Sequence, residues 1–390
     1  MMWYILAVMF CVTIGSQLGV WHRWVKYRSR LKRPYITVCA VLWSLLLISM
    51  VLNIVSKYDK FNGIMLLVFG VATASQVIFL VFDFVCRLVR GNRKVATAVS
   101  TLCSLAVAGF VLYGATIGRS RLRIEQIEVV SERLPESFEG FRIVLFSDLH
   151  TGLMFGRYKM LTQIVAAVNS LAPDLVVNCG DIANRDYTEL DDTVMSVLSG
   201  IRSKEGVMAV LGNHDLAISL SKKLGLTSEE HAELVAERQR AINWTVLNDS
   251  TAFIVRGRDS LSVTGVSYPK EIYHHSHSAL KERLDLNDAY ADVRPGMYNI
   301  TLSHAPQAWD DIKATGHGDL TLSGHVHSMQ TKLRVGNWRW SPAALLYSYW
   351  SGRYDDSGRT LYINDGIGSI FVPMRLGSRP EITLIILRKR

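Results

Sequence analysis

The hydrophobic pattern divides the chain into two parts. Four long apolar stretches occupy the first part, at approximately Trp3–Trp21, Tyr35–Val55, Gly63–Val85 and Val95–Ile117. Each is close to the roughly 20 residues that a bilayer-spanning helix needs. The first stretch has no basic leader and no small-residue cleavage site, and a basic loop follows it, which argues against a signal peptide. The pattern therefore predicts four transmembrane helices.

The second part has short apolar runs, each followed by a polar motif. The runs are 141–146, 174–178, 206–211, 299–302 and 319–322, and the motifs are Asp148-Leu149-His150, Gly180-Asp181, Gly212-Asn213-His214-Asp215, Ser303-His304 and Gly324-His325-Val326-His327. Near-continuous apolar runs of this length predict strands that are buried on both faces. A helical pattern between two runs places Ile164, Val168 and Leu171 on one face, and such alternation predicts a layered α/β fold. Ligands bind at the carboxyl ends of strands in these folds, which is where all five motifs lie.

The five motifs together offer carboxylate and amide oxygens and imidazole nitrogens, with no thiolate. This ligand set suits a centre of two divalent cations of the zinc, manganese or iron type. Cys179 precedes Gly180-Asp181, but we interpret it as a small buried hydrophobic residue at a strand end. A lone Gly-Asp or a lone buried histidine is usually structural. The prediction therefore rests on the five motifs as a set.

In this order the motifs resemble those of the calcineurin-like metallophosphoesterases, over roughly residues 124–388. Features such as Pro173-Asp174 and Gly366-Ile367-Gly368 resemble a narrower group, the bacterial envelope enzymes similar to YkuE and YaeI. The resemblance implies a four-layer α/β domain, with two mixed β-sheets packed face to face and flanked by helices. The expected organisation is a four-helix transmembrane region at 1–117, a juxtamembrane linker at 118–130 and the metallophosphoesterase domain at 131–390.

The resemblance also implies a role for each site residue. One metal would be held by Asp148, His150 and His327, the other by Asn213, His304 and His325, and Asp181 would bridge the two. His214 would be the general acid or transition-state stabiliser, with Asp215 orienting it through a hydrogen bond.

Two departures from the family pattern concern the rim of the site. The relatives usually have two glycines after the last histidine, where this chain has Ser328 and Met329, so two residues that let the backbone pass close to the site are absent. The segment 265–269, Gly-Val-Ser-Tyr-Pro, replaces a Gly-Asp-Asp-Pro-like stretch. Both differences should affect the substrate rather than the chemistry.

Charge predicts the orientation of the spans. The loops after spans one and three contain ten Lys and Arg residues, and the segments after spans two and four contain five. The positive-inside rule places the ten in the cytoplasm. The chain is then a multi-pass protein of the cell (inner) membrane with its catalytic domain on the outer, periplasmic face.

The net charge of +9 does not indicate nucleic-acid binding. Residues 1–123 contain fifteen basic and two acidic residues, whereas the remainder contains 28 basic and 32 acidic residues. The basic excess therefore belongs to membrane topology, and a mildly acidic catalytic domain is not built to hold a polyphosphate backbone by charge.

Three further features leave alternatives open. Asp83 lies inside the third span, where an acid is a candidate functional group, but it can pair with Arg87 one turn later. The segment His274–His277 could bind metal, although a surface loop is favoured because no carboxylate or thiol completes a site. The aromatic stretch from Trp338 to Trp350 is either a hairpin packed on the second sheet or an interfacial lip that touches lipid headgroups.

These observations predict a membrane-anchored, dinuclear-metal-dependent phosphoesterase that hydrolyses a phosphoester or pyrophosphate bond in a lipid-linked or envelope substrate. The expected partners are a phosphorylated small-molecule or lipid substrate and the lipid bilayer. One alternative is an enzyme resembling the UDP-2,3-diacylglucosamine pyrophosphate hydrolases, which act on the cytoplasmic face. Another is a catalytically weak membrane sensor or scaffold, which the complete ligand set disfavours.

Overall fold

A computed structural model describes residues 2–55, 59–88, 92–154, 157–218, 225–269, 283–336 and 338–390. The chain divides into two units, one comprising Met1–Ile117 with Phe371–Met374 and the other comprising Gly118–Ile370 with Arg375–Arg390. The predicted segment His274–His277 lies outside the described residues.

The first unit is helical. Its helices are α1 (Met2–Val20), α2 (Ser29–Val55), α3 (Asp59–Leu88) and α4 (Arg93–Tyr113), with π-helical turns at Trp21–Val25 and Gly114–Gly118. Three segments of the described chain are long and apolar enough to cross a membrane, namely Ser29–Ile48, Gly63–Leu88 and Lys94–Gly118. The span predicted at Trp3–Trp21 coincides with α1, but the count of four spans stays a prediction.

Asp83 is paired rather than free within this unit. Its side chain is 3% exposed and its Oδ2 accepts hydrogen bonds from Arg87 Nε at 2.9 Å and Arg23 Nε at 3.1 Å. The pairing with Arg87 that the sequence predicted is therefore confirmed, and Arg23 adds a second cation from another helix. The buried carboxylate is therefore satisfied by two cationic partners.

The second unit contains two mixed six-stranded sheets and a small hairpin. Its strands are β1 (Arg123–Ser131), β2 (Arg142–Phe146), β3 (Leu175–Asn178), β4 (Val207–Ala209), β5 (Trp244–Val246), β6 (Ser250–Arg256), β7 (Asp259–Val266), β8 (Asn299–Ser303), β9 (Leu320–Ser323), β10 (Leu333–Val335), β11 (Trp338–Trp340), β12 (Gly352–Asp356), β13 (Arg359–Ile363) and β14 (Glu381–Lys389). The first sheet has the order β1-β14-β2-β3-β4-β5, the second has the order β12-β13-β9-β8-β7-β6, and β10 pairs with β11. The predicted α/β domain with mixed sheets is confirmed.

Helices of the second unit are α5 (Arg157–Ser170), α6 (Asp192–Leu198), α7 (Ser228–Arg240), α8 (Asn287–Tyr290) and α9 (Trp309–Ala314). The alternation of side chains along a strand explains how the sheets pack. Val144 and Phe146 of β2 join a core that includes Ile164 and Val168 of α5. Their neighbours Ile143 and Leu145 join a different core, which includes residues of the second sheet. Strand β2 is therefore buried on both faces, as its continuous apolar run predicted.

Candidate metal centre

The predicted ligands meet where strands of both sheets end. Asp148 and His150 follow β2, Asp181 follows β3 and Asn213 follows β4, all in the first sheet. From the second sheet, His304 follows β8, and His325 and His327 follow β9. The parallel strands β2, β3 and β4 direct their carboxyl ends to one edge, and so do β8 and β9. Residues that are up to 179 positions apart in the sequence therefore share one site.

The ligands form two groups that share one residue. Asp148, His150, Asp181 and His327 each offer a ligand atom, and these atoms lie within 4.8 Å of one another. Asp181, His304 and His325 form the second group by the same measure. Asn213 belongs with the second group, because its Oδ1 lies 3.2 Å from His304 Nε2. The shared carboxylate of Asp181 is the arrangement that a dinuclear centre requires.

The first group is buried and closely spaced. His327 Nε2 lies 3.0 Å from Asp148 Oδ1, and 3.2 Å from His150 Nε2. Burial lowers the pKa of His150 well below its usual range, so this ring is neutral and keeps a lone pair. His150 Nδ1 has no hydrogen-bond partner among the described residues. The imidazole nitrogens and the carboxylate oxygen that face one another at 3.0–3.2 Å fit a divalent cation between them.

The second group has a fixed tautomer at His304. Its Nδ1 donates to the Cys179 carbonyl at 2.6 Å, which leaves Nε2 facing Asp181 Oδ2 at 3.1 Å and Asn213 Oδ1. Although burial opposes the charged ring, the Asp181 carboxylate raises the pKa of His304 to about 9. The same attraction that favours a proton on Nε2 favours a metal ion there. Burial lowers the pKa of His325 to about 3, so that ring also offers a lone pair.

Cys179 does not belong to either group. The residue is fully buried, and burial raises the pKa of its thiol well above the usual range. Only the thiolate is a good metal ligand. The interpretation of Cys179 as a small buried residue at a strand end is confirmed.

The backbone at the ligands is unusual. Asp148, His150, Asp181, His325 and His327 all have positive φ, between 44° and 73°. This left-handed region costs a non-glycine residue about 1–2 kcal/mol. Strain of this kind clusters at functional sites because the surroundings determine the backbone there. At these five corners of the backbone, the left-handed conformation directs the side chains inward at the strand ends, whereas an ordinary turn would direct them away from the site.

Glycines give the backbone room at the same corners. A Cβ on Gly212 would lie 2.1 Å from Asp181 Oδ1, and a Cβ on Gly180 would lie 2.6 Å from the backbone nitrogen of Gly212. Both distances are below any real Cβ contact. The two loops can therefore approach each other only because neither residue has a side chain.

His214 lies beside the centre, and a backbone carbonyl orients it. Its Nδ1 pairs with the carbonyl oxygen of Asn184 at 2.5 Å, and its ring meets the His150 ring edge-on with centroids 4.7 Å apart. Because the Asn184 carbonyl can only accept, Nδ1 carries the proton and Nε2 is the nitrogen available to a substrate. The backbone N–H of His214 also donates to Asp181 Oδ1 at 2.8 Å.

The prediction that Asp215 orients His214 through a hydrogen bond is wrong. The Asp215 carboxylate instead accepts from the backbone N–H groups of Asp181 at 2.7 Å, Ala183 at 3.0 Å and Gly212 at 3.0 Å. Burial and the charge of Asp181 raise the pKa of Asp215 to about 7, while the backbone N–H donors oppose that rise. Asp215 therefore connects the Asp181 loop to the Gly212 loop and supports the position of Asp181. The prediction failed because adjacency along the chain does not decide which donors a side chain reaches.

Sequence reasoning missed two supports of the centre and noted a third only as a departure from the pattern. The backbone carbonyl of Asn184 accepts the hydrogen bond from His214, and every residue type has such a carbonyl, so the sequence gives no signal for it. Fully buried Arg375 places Nη2 at 3.2 Å from His327 Nδ1, while its other nitrogens donate to the carbonyls of Gly368 and Asp365. The Tyr268 ring lies against the rings of His304 and His325, at 5.8 and 5.7 Å between centroids.

The residues that replace the two family glycines keep the conformation that glycine favours. Ser328 and Met329 have φ of 48° and 45°. Ser328 is fully buried and its hydroxyl donates to Asp365 Oδ1 at 2.5 Å, whereas Met329 is 40% exposed. Hydrogen bonding thus holds one strained residue in place, and the other presents an apolar side chain beside the metal-binding His327.

The aromatic stretch divides into two parts. Trp338 and Trp340 belong to the hairpin of β10 and β11 and are 57% and 37% exposed, while Trp350 is buried. The packing interpretation is therefore wrong for the hairpin, whereas Tyr349 packs against Leu361 and Ile363 of the second sheet.

Comparisons with known proteins agree with this geometry. The family model of the calcineurin-like phosphoesterases matches residues 141–329. Proteins described as "transmembrane protein with metallophosphoesterase domain" are 28% identical over 80% of this chain in Danio rerio, covering 71% of that protein, and 31% identical over 68% of this chain in Bos taurus, covering 57% of that protein. This chain thus spans little more than half the length of the bovine relative.

Two bacterial relatives extend the comparison. The uncharacterized metallophosphoesterase YkuE of Bacillus subtilis is 28% identical over 72% of this chain and 93% of its own length. The UDP-2,3-diacylglucosamine pyrophosphatase LpxG of Chlamydia trachomatis is 25% identical over 65% of this chain and 86% of its own length. The matched domain, the ordered motifs and the two ligand groups lead to one conclusion: residues 141–329 are a calcineurin-like phosphoesterase domain, a domain of metal-dependent hydrolases, and the chain joins it to apolar helices long enough to cross a membrane.

Proposed function

We propose that the chain is a membrane-anchored hydrolase of a phosphoester or pyrophosphate bond, acting with two divalent cations on a lipid-linked or envelope substrate. The observation that supports this most directly is the position of Asp181, whose carboxylate belongs to both ligand groups. A shared carboxylate lowers the repulsion between two cations a few ångströms apart, and one cation alone would not need it.

Each site residue then has one task. Asp148, His150 and His327 would hold one cation, Asn213, His304 and His325 would hold the other, and Asp181 would serve both. When bound, the cations polarise the phosphoryl oxygens and activate water as the nucleophile. Manganese, zinc and iron all suit oxygen and imidazole ligands, and supply in the compartment decides among them.

His214 acts on the leaving group. Its Nδ1–H is held by the Asn184 carbonyl, so the protonated ring can donate from Nε2 to the departing oxygen. A positioned acid of this kind contributes about 10²–10⁴ in rate. Asp215 positions the bridging Asp181, because its carboxylate accepts a hydrogen bond from the backbone N–H of that residue.

The membrane part supports the substrate class. Four spans, the first of them Trp3–Trp21, would keep the domain at the bilayer surface, and the ten basic residues of two loops would place it on the outer face. We infer a juxtamembrane linker at 118–130, a hydrolase domain at 131–390, and helices on the outer faces of the paired sheets. The name of the chlamydial relative gives UDP-2,3-diacylglucosamine, a diacylated sugar nucleotide, as its substrate, so an acylated pyrophosphate is the first compound to try.

A screen of the purified full-length chain tests the proposal. Lipid phosphates, lipid-linked nucleotide diphosphates and an aryl phosphate ester are offered with Mn²⁺, Zn²⁺ or Mg²⁺ in turn. We expect metal-dependent turnover of at least one lipid substrate, abolished by Asp181→Asn. Tight binding of a lipid phosphate without turnover of any compound, at full metal occupancy, would support the scaffold alternative instead.

A further inference from the structure

The hairpin of β10 and β11 exposes its apolar face and turns its charged face towards the domain, the reverse of the usual arrangement. Leu333 pairs with Trp340, and Val335 pairs with Trp338, so these four side chains share one face of the ribbon. Their exposed fractions are 51%, 37%, 72% and 57%. A hairpin of a soluble domain ordinarily packs such a face on the core and leaves its charged face in water.

The arginine face of the same hairpin turns towards the domain. Arg334 pairs with Arg339 across the ladder. The Arg339 guanidinium lies 5.5 Å from the ring centroid of Trp350 and 5.3 Å from that of Tyr354. Arg334 reaches Glu125 at 3.7 Å, although its side chain stays 55% exposed at the edge. The domain therefore binds the charged face of the ribbon and leaves much of the apolar face exposed.

Two more exposed apolar residues lie between the hairpin and Tyr347 in the sequence. Leu345 and Leu346 follow the hairpin and are 75% and 45% exposed. Between them and the site lies a buried cluster of Val326, Ala343 and Trp350, in which Val326 separates the two ligand histidines. Tyr347 packs on this cluster, and its ring lies 6.4 Å from that of His325. The segment that exposes apolar residues is thus fixed to the loop that holds His325 and His327.

We propose that this apolar ribbon inserts into the interfacial layer of the lipid bilayer. The ribbon comprises Leu333, Val335, Trp338, Trp340, Leu345 and Leu346. Tryptophan at the level of the headgroups with aliphatic side chains beside it is the composition of interfacial segments, and contiguous exposed apolar surface marks an interaction site.

A bilayer is the occupant that the rest of the chain favours. Three helices in the described part of the chain are long and apolar enough to cross a membrane, and such spans would hold the domain near a lipid surface. A consequence for substrate binding is that an amphipathic phosphate would contact the ribbon before it reaches the metal site. That consequence rests on the proposed function, whereas contact with the bilayer does not and can be measured without turnover.

The test uses the full-length chain in phosphatidylcholine–phosphatidylglycerol nanodiscs. Cysteine replaces single ribbon positions and is labelled with a polarity-sensitive fluorophore, and the unsubstituted chain labelled in parallel gives the background of its own cysteines. Val335→Cys is compared with Val255→Cys, because these two valines are 72% and 67% exposed on different strands. We expect blue-shifted emission and quenching by doxyl-labelled lipid at 335, and quenching by aqueous iodide at 255.

The two faces of the hairpin provide a second comparison, which does not depend on the result for any one variant. Lipid quenching should alternate, strong at 333, 335, 338 and 340 and weak at 334 and 339. Equal iodide quenching at 335 and 255, or no alternation along the hairpin, would overturn the proposal. A blue shift at 335 without lipid quenching would also overturn it, since that result indicates contact with protein, such as a second copy.

Discussion

Replacing Gly180 with alanine should disable the metal centre through a single methyl group. The new Cβ would lie 2.6 Å from the backbone nitrogen of Gly212 and 2.8 Å from His304 Nδ1. Ordinary contact begins at 3.4 Å, so the Gly212 loop or the His304 ring has to move by about 0.6–0.8 Å. Neither moves freely, because His304 Nδ1 is bonded to the Cys179 carbonyl and Gly212 N–H is bonded to Asp215.

The expected magnitude has two parts. Gly180 has φ of 90°, and placing a side chain in left-handed backbone costs about 1–2 kcal/mol. Overpacking adds about 1–3 kcal/mol. A displacement approaching 1 Å at a reacting centre can cost about 10²-fold in rate. We therefore expect Gly180→Ala to lose metal at the site of His304 and to turn over an aryl phosphate ester about 10²-fold more slowly.

A matched glycine separates the two parts. Gly296 has φ of 84°, but a Cβ there would meet no atom within 4 Å. Gly296→Ala bears the same backbone cost without the overpacking, so it should retain its metals and its rate. Metal content by mass spectrometry and initial rates on the full-length chain measure both variants. If Gly180→Ala kept full metal occupancy and turnover, the close approach of the two loops would be refuted; equal losses in both variants would trace the effect to backbone strain alone.

Three further predictions address the roles of single groups and the topology. Asp181→Asn should lose both metals rather than one and abolish turnover, because its carboxylate belongs to both ligand groups; metal analysis that found one site still filled would remove Asp181 from the bridge. His214→Ala should keep both metals but lose about 10²–10⁴ in rate, with a smaller loss for a nitrophenolate leaving group that needs no proton. Equal losses for good and poor leaving groups would contradict the acid role. An alkaline phosphatase fusion after Arg390 should be active outside the cytoplasm and one near Arg28 inactive, whereas the reverse pattern would move the domain to the cytoplasmic face.

The sequence predicted the strands and the ligands because both depend on local patterns. The five apolar runs are the five strands β2, β3, β4, β8 and β9, since a strand buried on both faces has to be apolar at consecutive positions. The ligands follow those strands by one to four residues. Six of the seven expected ligands lie in two clusters that share Asp181, while their roles as ligands stay a prediction.

The supports of the ligands could not be predicted in the same way. His214 and Asp215 are neighbours, yet their side chains bind different partners, Asn184 and three backbone N–H groups. Arg375 reaches His327 across 48 residues of sequence. The faces of the hairpin were also ambiguous, because alternating arginine and apolar residues describe a ribbon equally well whichever face the domain covers.

Strain and buried charge at the centre have a common physical cause. Five of the seven predicted ligands have left-handed backbone, and the carboxylates of Asp148 and Asp181 are almost completely buried beside imidazole rings. Each of these features alone opposes folding. The apolar strands on both sides hold the loops in place, and Asp215 and Arg375 bind backbone carbonyls and N–H groups that would otherwise be unsatisfied. Side chains at strand ends can converge on two cations only when the loops turn sharply inward, so the cost in the backbone is a direct consequence of bringing oxygen and nitrogen ligands from two sheets to one point.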